Sequence, residues 1–535
     1  MPDVVERLKD HLVKIIAETN GITLNDTLDL ILKSGTEIGS LEVLKVDEFS
    51  RLLHAYHDKQ VKIEVLLDHP VGKALFKYFH SFPLRFCEEH IHLTGSMTAG
   101  FIFSKLAPIL ASQNKKVYLE HIKRLFGSEV RVDGEESVHQ LVTLGDKEEF
   151  DRYLKILELP GLILRDKKAH IDAAYHLAHA LYHEQHVGRV RLKFTYSRMH
   201  KDPKVKVTPP SDVVLGLYEG FEKFKKEHPD FSYILSPCFR KEQDYFNAKK
   251  YKSKKEDFDA QVASLLKLMD QHPELSSVLT DVDTVGNERN LYRKGHFRDM
   301  QDGFRQLQAR GFQIRSHHGE VWHTLRCGIQ AVDNAMNIWH INNLEHGISL
   351  GINPNYYFHS LFQRVLEINR EKKPLVEGSR EYREVAQMQW KSHLDVRDQI
   401  LRGDKLNKSG IKTFTKAKFR TAIEMEHYQH DVLNRMIQKR VSLVALPSSN
   451  KRLSGNFVDY KDHPFSWWEK KGLKLGVGTD NYVTLNTNMI REMLILLFSD
   501  SENLKITKLL MITTRETRRP FLSSLLWKQR QEVSF

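Results

Sequence analysis

The 535-residue chain has only three cysteines, Cys87, Cys238 and Cys327, far apart and without a CxxC pair. That spacing argues against a disulfide framework and a cysteine-held structural zinc, and all three read as small buried hydrophobes. No apolar run approaches the ~20 residues that a membrane-spanning helix needs. The first residues, Met1-Pro2-Asp3-Val4-Val5-Glu6-Arg7, lack the basic-then-apolar order of a secretory signal. The expected setting is therefore the cytoplasm, with no membrane. Glycine and proline are not in excess, and 41% of the residues are hydrophobic, so a large core is expected rather than global disorder. Acidic residues are the minority charge: 69 against 81 basic, a formal net charge of +12 that favours anionic partners such as nucleotides or nucleic acid. The densest basic stretch holds Lys249, Lys250, Lys252, Lys254 and Lys255. It is either a solvated loop or a contact for phosphate.

The chain divides by pattern. Residues 1–80 look helical, with Val5, Leu8, Leu12, Ile15 and Ile16 at helical spacing and a second helix starting at Thr23 or Asn25. This segment holds no candidate site residue and reads as an accessory region or assembly surface. From about residue 81, short β-branched or aromatic runs alternate with long amphipathic stretches, the pattern of βα units. Eight strands are predicted, at 84–92, 190–196, 232–238, 278–284, 312–317, 339–346, 441–446 and 473–479. Eight is the number a closed (β/α)8 barrel requires, so a TIM barrel spanning 81–510 is expected, with 511–535 as a tail or helix. Two insertions interrupt it, at about 97–189 and 352–440. Lys405-Leu-Asn-Lys-Ser-Gly-Ile-Lys-Thr413 inside the second reads as a polar loop between helices. Both insertions would leave the catalytic face, as a lid or as contacts for a homo-oligomer or a protein partner.

The chemistry-bearing residues fall at the ends of these strands. His90 and His92 lie two apart, so a strand points both to one side. Asp283, the run His317-His318-Gly319-Glu320, His346 and Thr479-Asp480-Asn481 follow. In a barrel all of these ends converge on one mouth. Neutral imidazoles plus a carboxylate are what one catalytic Zn2+ takes, with a position left for water. His90, His92, His317 and Asp480 are the expected ligands. Zinc makes water acidic near neutral pH, and His346 and Asp480 would orient it. Glu320, beyond the turn at Gly319, would transfer a proton to a ring nitrogen. Arg315 shares the side of His317 and counts among the substrate-facing residues, whereas His318 points away and is expected to pack.

In this ordered set the chain resembles the adenosine deaminase superfamily. The resemblance rests on His90-Ile91-His92-Leu93, Asp283-Thr-Val-Gly286-Asn-Glu288, His317-His318-Gly319-Glu320, His346-Gly347, Pro447-Ser448-Ser449-Asn450 and Thr479-Asp480-Asn481. It implies zinc on His90, His92, His317 and Asp480, catalysis by Glu320 and His346, and hydrolytic loss of a purine 6-amino group. It also implies that the Gly286 backbone meets the purine. Two positions depart from the family. Thr94 stands where nucleoside deaminases have an aspartate for the 5′-hydroxyl, and a neutral donor there suits a 5′-phosphate. Asn481 stands where an aspartate contacts the purine N7 edge, and an amide can donate to it. Thr94, the lysine stretch and the net charge tilt the reading toward an adenine nucleotide over a nucleoside, with Lys249 and Lys250 as phosphate contacts, while Asn481 departs from ordinary adenosine specificity. Related deaminases serve purine salvage and bacterial antiviral defence alike. Two other readings stay open: a different metallohydrolase acting on an amide or lactone ring, and a scaffold that binds nucleic acid or a partner enzyme.

Overall fold

The computed structural model describes residues 40–80, 85–145, 150–198, 205, 207–457 and 459–500. Eight parallel strands follow one another in sequence order: β1 Phe86–His92, β2 Val187–Thr195, β3 Ser232–Arg240, β4 Asp281–Val285, β5 Gln313–His318, β6 Asn343–His346, β7 Ser442–Ala445 and β8 Leu475–Val477. The ring closes through backbone beyond β8. The Asp480 N–H donates to the His90 carbonyl at 2.9 Å, and the His92 N–H donates to the Asp480 carbonyl at 2.7 Å. The fold is thus the expected (β/α)8 barrel, and each predicted strand overlaps an observed one.

Two strands, β6 and β4, start well after their predicted first residues. The apolar run 335–341 ends a helix instead, burying Met336 and Trp339 before His340 turns left-handed at φ 53°. Likewise Pro273–Ser277 forms a short 3₁₀ turn that closes over Leu275, so β4 begins only at Asp281.

Strand alternation sorts the barrel. Lys193, Asp283, Arg315, His317 and Glu345 touch one another, which places them inside. Their sequence neighbours Leu192, Val282, Ile314, Ser316 and Leu344 then face the helices, and all are buried. His318 goes with that outer set, as expected. Its ring packs against Phe297 and Trp339, and its Nδ1 pairs with the Ser316 hydroxyl at 2.6 Å.

The first insertion leaves β1 as helices Ala99–Leu110, Lys115–Phe126, Glu135–Val142, Phe150–Ile156 and Glu158–Ile163. It ends in the crossover helix Lys167–Glu184, which packs on Pro210–Glu227. Gly216 sets that approach: a Cβ there would sit 2.6 Å from the Lys167 carbonyl oxygen. The second insertion follows β6 as helices Pro354–Arg370, Arg380–Gln387, Leu394–Arg402 and Lys408–Gln438. The predicted loop at 405–413 is shorter than expected. Asn407 caps the last helix by accepting from the Gly410 N–H at 2.8 Å, so Lys408 onward is already helical.

Residues 40–80 form helices Ser40–His57, Ile63–Asp68 and Pro70–His80. They dock on residues 459–500: Phe49 meets Phe498 edge-on, and the Tyr56 hydroxyl donates to Asp459 at 2.8 Å. The helices expected within residues 1–39 and the tail 511–535 lie outside the described residues. No helix among the described residues is long and apolar enough to cross a membrane.

Candidate active site

Strand periodicity delivers the first two imidazoles. His90 and His92 stand on one side of β1, and β5 brings His317 to them. Their three Nε2 atoms form a near-equilateral triangle, 3.1 Å between His90 and His92, 3.1 Å between His92 and His317, and 3.2 Å between His317 and His90. Asp480 Oδ1 lies 3.6 Å from His90 Nε2 and 3.5 Å from His92 Nε2.

The opposite ring nitrogens decide what these atoms are. His90 Nδ1 meets Glu345 Oε2 at 2.6 Å, and His317 Nδ1 meets Asp283 Oδ1 at 3.1 Å. A carboxylate partner holds the proton on Nδ1, so a neutral ring turns its Nε2 lone pair inward. Burial pushes His92 and His317 below the usual imidazole range, which favours those neutral rings. The two carboxylates are themselves anchored. Lys193 donates to Asp283 and, at 3.0 Å, to Glu345, while Arg315 Nε donates to Glu345 at 2.6 Å. Burial opposes the charge on Glu345, but Arg315, Lys193 and His90 outweigh it and hold the carboxyl well below its ordinary value. Asp283 follows the same pattern, with His317 and Lys193 prevailing over burial.

Lone pairs converging at about 3 Å repel one another unless a cation sits among them. A tetrahedral zinc with bonds of roughly 2.0–2.1 Å spaces its ligands roughly 3.3 Å apart, close to the observed edges. The donor set fits such an ion.

His346 and Asp480 reach the mouth differently. Both have left-handed backbones, at φ 66° and 64°. Alternation would send His346 outward after the inward Glu345, and the left-handed turn brings it back in. Its donor atoms also come within 4.8 Å of those of His90 and His317. Its tautomer is nevertheless the reverse of theirs. Asn450 Oδ1 accepts from the Leu446 N–H at 3.3 Å, which identifies that side of the amide as oxygen. Asn450 Nδ2 therefore donates to His346 Nδ1 at 3.0 Å. Burial holds the His346 ring well below its ordinary range, so it is neutral with its proton on Nε2. That nitrogen is a donor rather than a ligand, and it faces Glu320 Oε2 at 3.8 Å. Asp480 is steadied by the Ser449 hydroxyl, which donates to Oδ2 at 2.5 Å.

Glu320 sits in the turn after β5. The Glu288 carboxylate gathers three backbone N–H groups of that turn, from Gly319 at 3.0 Å, Glu320 at 2.6 Å and Val321 at 2.8 Å. Lys241 donates to the His317 carbonyl beside it. Burial, then the charges of Asp480 and Glu288, push the Glu320 carboxyl well above its ordinary value. That shift favours the protonated acid.

These groups open onto a cavity of about 300 Å³ lined by His92, His317, His346, Asp480 and Glu320 on one side. Phe150, Tyr153, Leu154 and Leu157 of the first insertion roof it.

No protein-family model matches the chain, and no curated protein does. Solved structures do. An amidohydrolase from Burkholderia ambifaria with bound Zn is 13% identical, over 83% of this chain and 86% of that one, with a TM-score of 0.47. The apo N6-methyl-AMP deaminase from Arabidopsis thaliana is 13% identical, over 81% and 90%, with a TM-score of 0.45. Arabidopsis ADAL in complex with IMP is 12% identical, over 79% and 88%, with a TM-score of 0.46.

Of the residues singled out in the sequence, Thr94 and Gly286 also line the cavity. Gly286 needs to be glycine, since its φ is 109° and a Cβ would collide with the Glu242 carboxylate. Four others stand apart from the lining. Arg315 lies beneath, committed to Glu345. Lys249 and Lys250 are exposed, on a loop whose Lys254 donates inward to the Tyr245 carbonyl at 2.9 Å. Asn481 is fully buried, and its amide donates to the Tyr153 hydroxyl and to Asp480, each at 2.6 Å. Strand side suggested Arg315, the family resemblance Asn481 and charge the two lysines, and none of these says how a side chain is already engaged. Sequence reading passed over Glu345 and Lys193 as working residues, and Tyr153 and Arg198 altogether. The first two sit inward at alternate strand positions, a signal that was available. The last two lie in segments with no strand pattern to orient them.

Proposed function

We propose that this chain is a zinc-dependent hydrolase that removes the 6-amino group of an adenine nucleotide or nucleoside. Water adds, and the products are the inosine-type compound and ammonia. One observation carries the reading. Three Nε2 atoms converge beside Asp480, while the Glu320 carboxyl and a donor His346 Nε2 face the same cavity. His90, His92, His317 and Asp480 would hold one zinc. Bound zinc supplies Lewis acidity that makes a water molecule acidic near neutral pH.

The remaining roles belong to the chain. Glu320 delivers its proton to the ring nitrogen beside the carbon under attack, which turns that carbon electrophilic. His346 Nε2–H donates to the attacking oxygen and fixes its approach. Burial opposes the charge on Asp480, but His90, His92 and His346 outweigh it and keep the carboxylate ionised. Ionised beside the cavity, Asp480 accepts the proton that the water gives up and passes it to the departing amino group, which leaves as ammonia. Glu288 and Lys241 keep the Glu320 turn in place through backbone groups. The roof of Phe150, Leu154 and Leu157 suits a flat aromatic ring and excludes bulk water.

A metallohydrolase with two metals bridged by a lysine fits less well. Lys193, inside the barrel, is already committed to Asp283 and Glu345. The test is ammonia release from adenosine, deoxyadenosine and their mono-, di- and triphosphates by zinc-loaded protein. Release from at least one, with one zinc per site, is expected. No release from any of them, with zinc bound, would overturn the reading.

A further inference from the structure

The cavity has a second polar end, away from the histidines. Arg198 lies beyond the end of β2 and lines the cavity wall together with Thr94 and Thr195. The same three residues also line a smaller recess next to His92. Arg198 makes no hydrogen bond or ion pair among the described residues. The other guanidinium of the cavity, Arg240, is already neutralised. Its Nε and Nη2 donate to Glu242 at 3.1 and 2.5 Å, and it stacks over Tyr245. The acid nearest to Arg198, Glu158, is exposed at the rim, where water screens it.

The first insertion makes room for this arginine. Gly161 lies in the buried helix Glu158–Ile163, and a Cβ at that position would collide with Arg198 Nη1. The absent side chain is what lets the guanidinium reach the cavity. An arginine presents a flat fork that matches phosphate geometry, and an uncommitted one facing a cavity favours an anion. Thr94 and Thr195 add neutral hydroxyl donors and no opposing charge.

We propose that Arg198, seated against Gly161, binds the phosphate of a phosphorylated adenine nucleotide, and that it makes the cavity prefer nucleotides over nucleosides. This deepens the deaminase reading and rests on it. It also replaces Lys249 and Lys250 as the expected phosphate contacts.

Equilibrium binding tests it without turnover. IMP and inosine are titrated into the zinc-loaded full chain by calorimetry. Wild type should bind IMP at least tenfold more tightly than inosine. Arg198→Gln should bring that ratio close to one, and Arg198→Lys should restore part of it. Gly161→Ala keeps the charge but pushes the guanidinium aside, so it should also cut the ratio severalfold. The double change Lys249→Gln and Lys250→Gln should leave the ratio unaltered. Equal binding of IMP and inosine by wild type, or an unchanged ratio in a folded Arg198→Gln, would overturn the proposal. Phosphate-dependent binding that follows Arg198, with no deamination of any adenine compound, would sink the proposed reaction and leave this assignment standing.

Discussion

The floor and the roof of the cavity are built by opposite means. The floor rests on strands of three to nine residues and on buried charges that neutralise one another: Lys193 and Arg315 against Asp283 and Glu345. Three of its rings, His90, His317 and His346, have a partner that sets the tautomer. The roof comes from helices of the first insertion and is mainly apolar, and Tyr153 ties it to the floor through Asn481. A buried charged network tolerates little, because removing one partner strands another in low dielectric. An apolar roof changes shape at small cost. On the proposed reading the comparison separates reaction from selection: the floor would determine what happens to a bound molecule, and the roof with Arg198 which molecule binds.

Four substitutions press on this division. His317→Ala removes one corner of the Nε2 triangle and should abolish metal binding and turnover together; full metal retention on elemental analysis would break the assignment. Glu320→Gln keeps the shape but cannot give up a carboxyl proton. It should lower kcat by roughly 10²–10⁴ while the metal stays bound, and near-normal kcat would rule out the proton-transfer role. A smaller effect is expected one layer down. Glu345→Gln loosens the hold on His90 Nδ1 and should weaken metal affinity by roughly 10–100-fold, measured by competition with a chelator. The mildest change is Tyr153→Phe in the roof. Asn481 keeps its bond to Asp480, so KM should shift less than about tenfold, with kcat and metal content nearly unchanged. A loss of metal in Tyr153→Phe would show that roof and floor are not separable.

Much of the floor was legible in the sequence. The spacing of His90 and His92 implies a shared side in any strand, and Asp283, His317 and Asp480 each close a run that proved to be a strand or its exit. The same periodicity sorted His318 outward. It placed Arg315 inward too, but at a level already filled by Glu345. It says nothing of Asn481, past the end of β8, whose amide is taken up by the adjacent Asp480 and by Tyr153 of the first insertion. The lysine loop looked suited to phosphate from charge alone, yet Lys254 serves the backbone and Lys255 pairs with Asp259 and Asp302. Composition reports charge; it does not report where the charge is spent.

By itself the sequence determined the eight-strand alternation, the type of donor available and the side on which β1 presents it, because a strand repeats every two residues wherever it is placed. Only the tertiary structure decided the states of those donors. Glu345 and Asp283 turn two rings one way, Asn450 turns His346 the other, and left-handed backbones at His346 and Asp480 bring both into the mouth. Tautomer and direction depend on which distant group arrives at the second nitrogen, and that is a property of the closed barrel rather than of any segment in it.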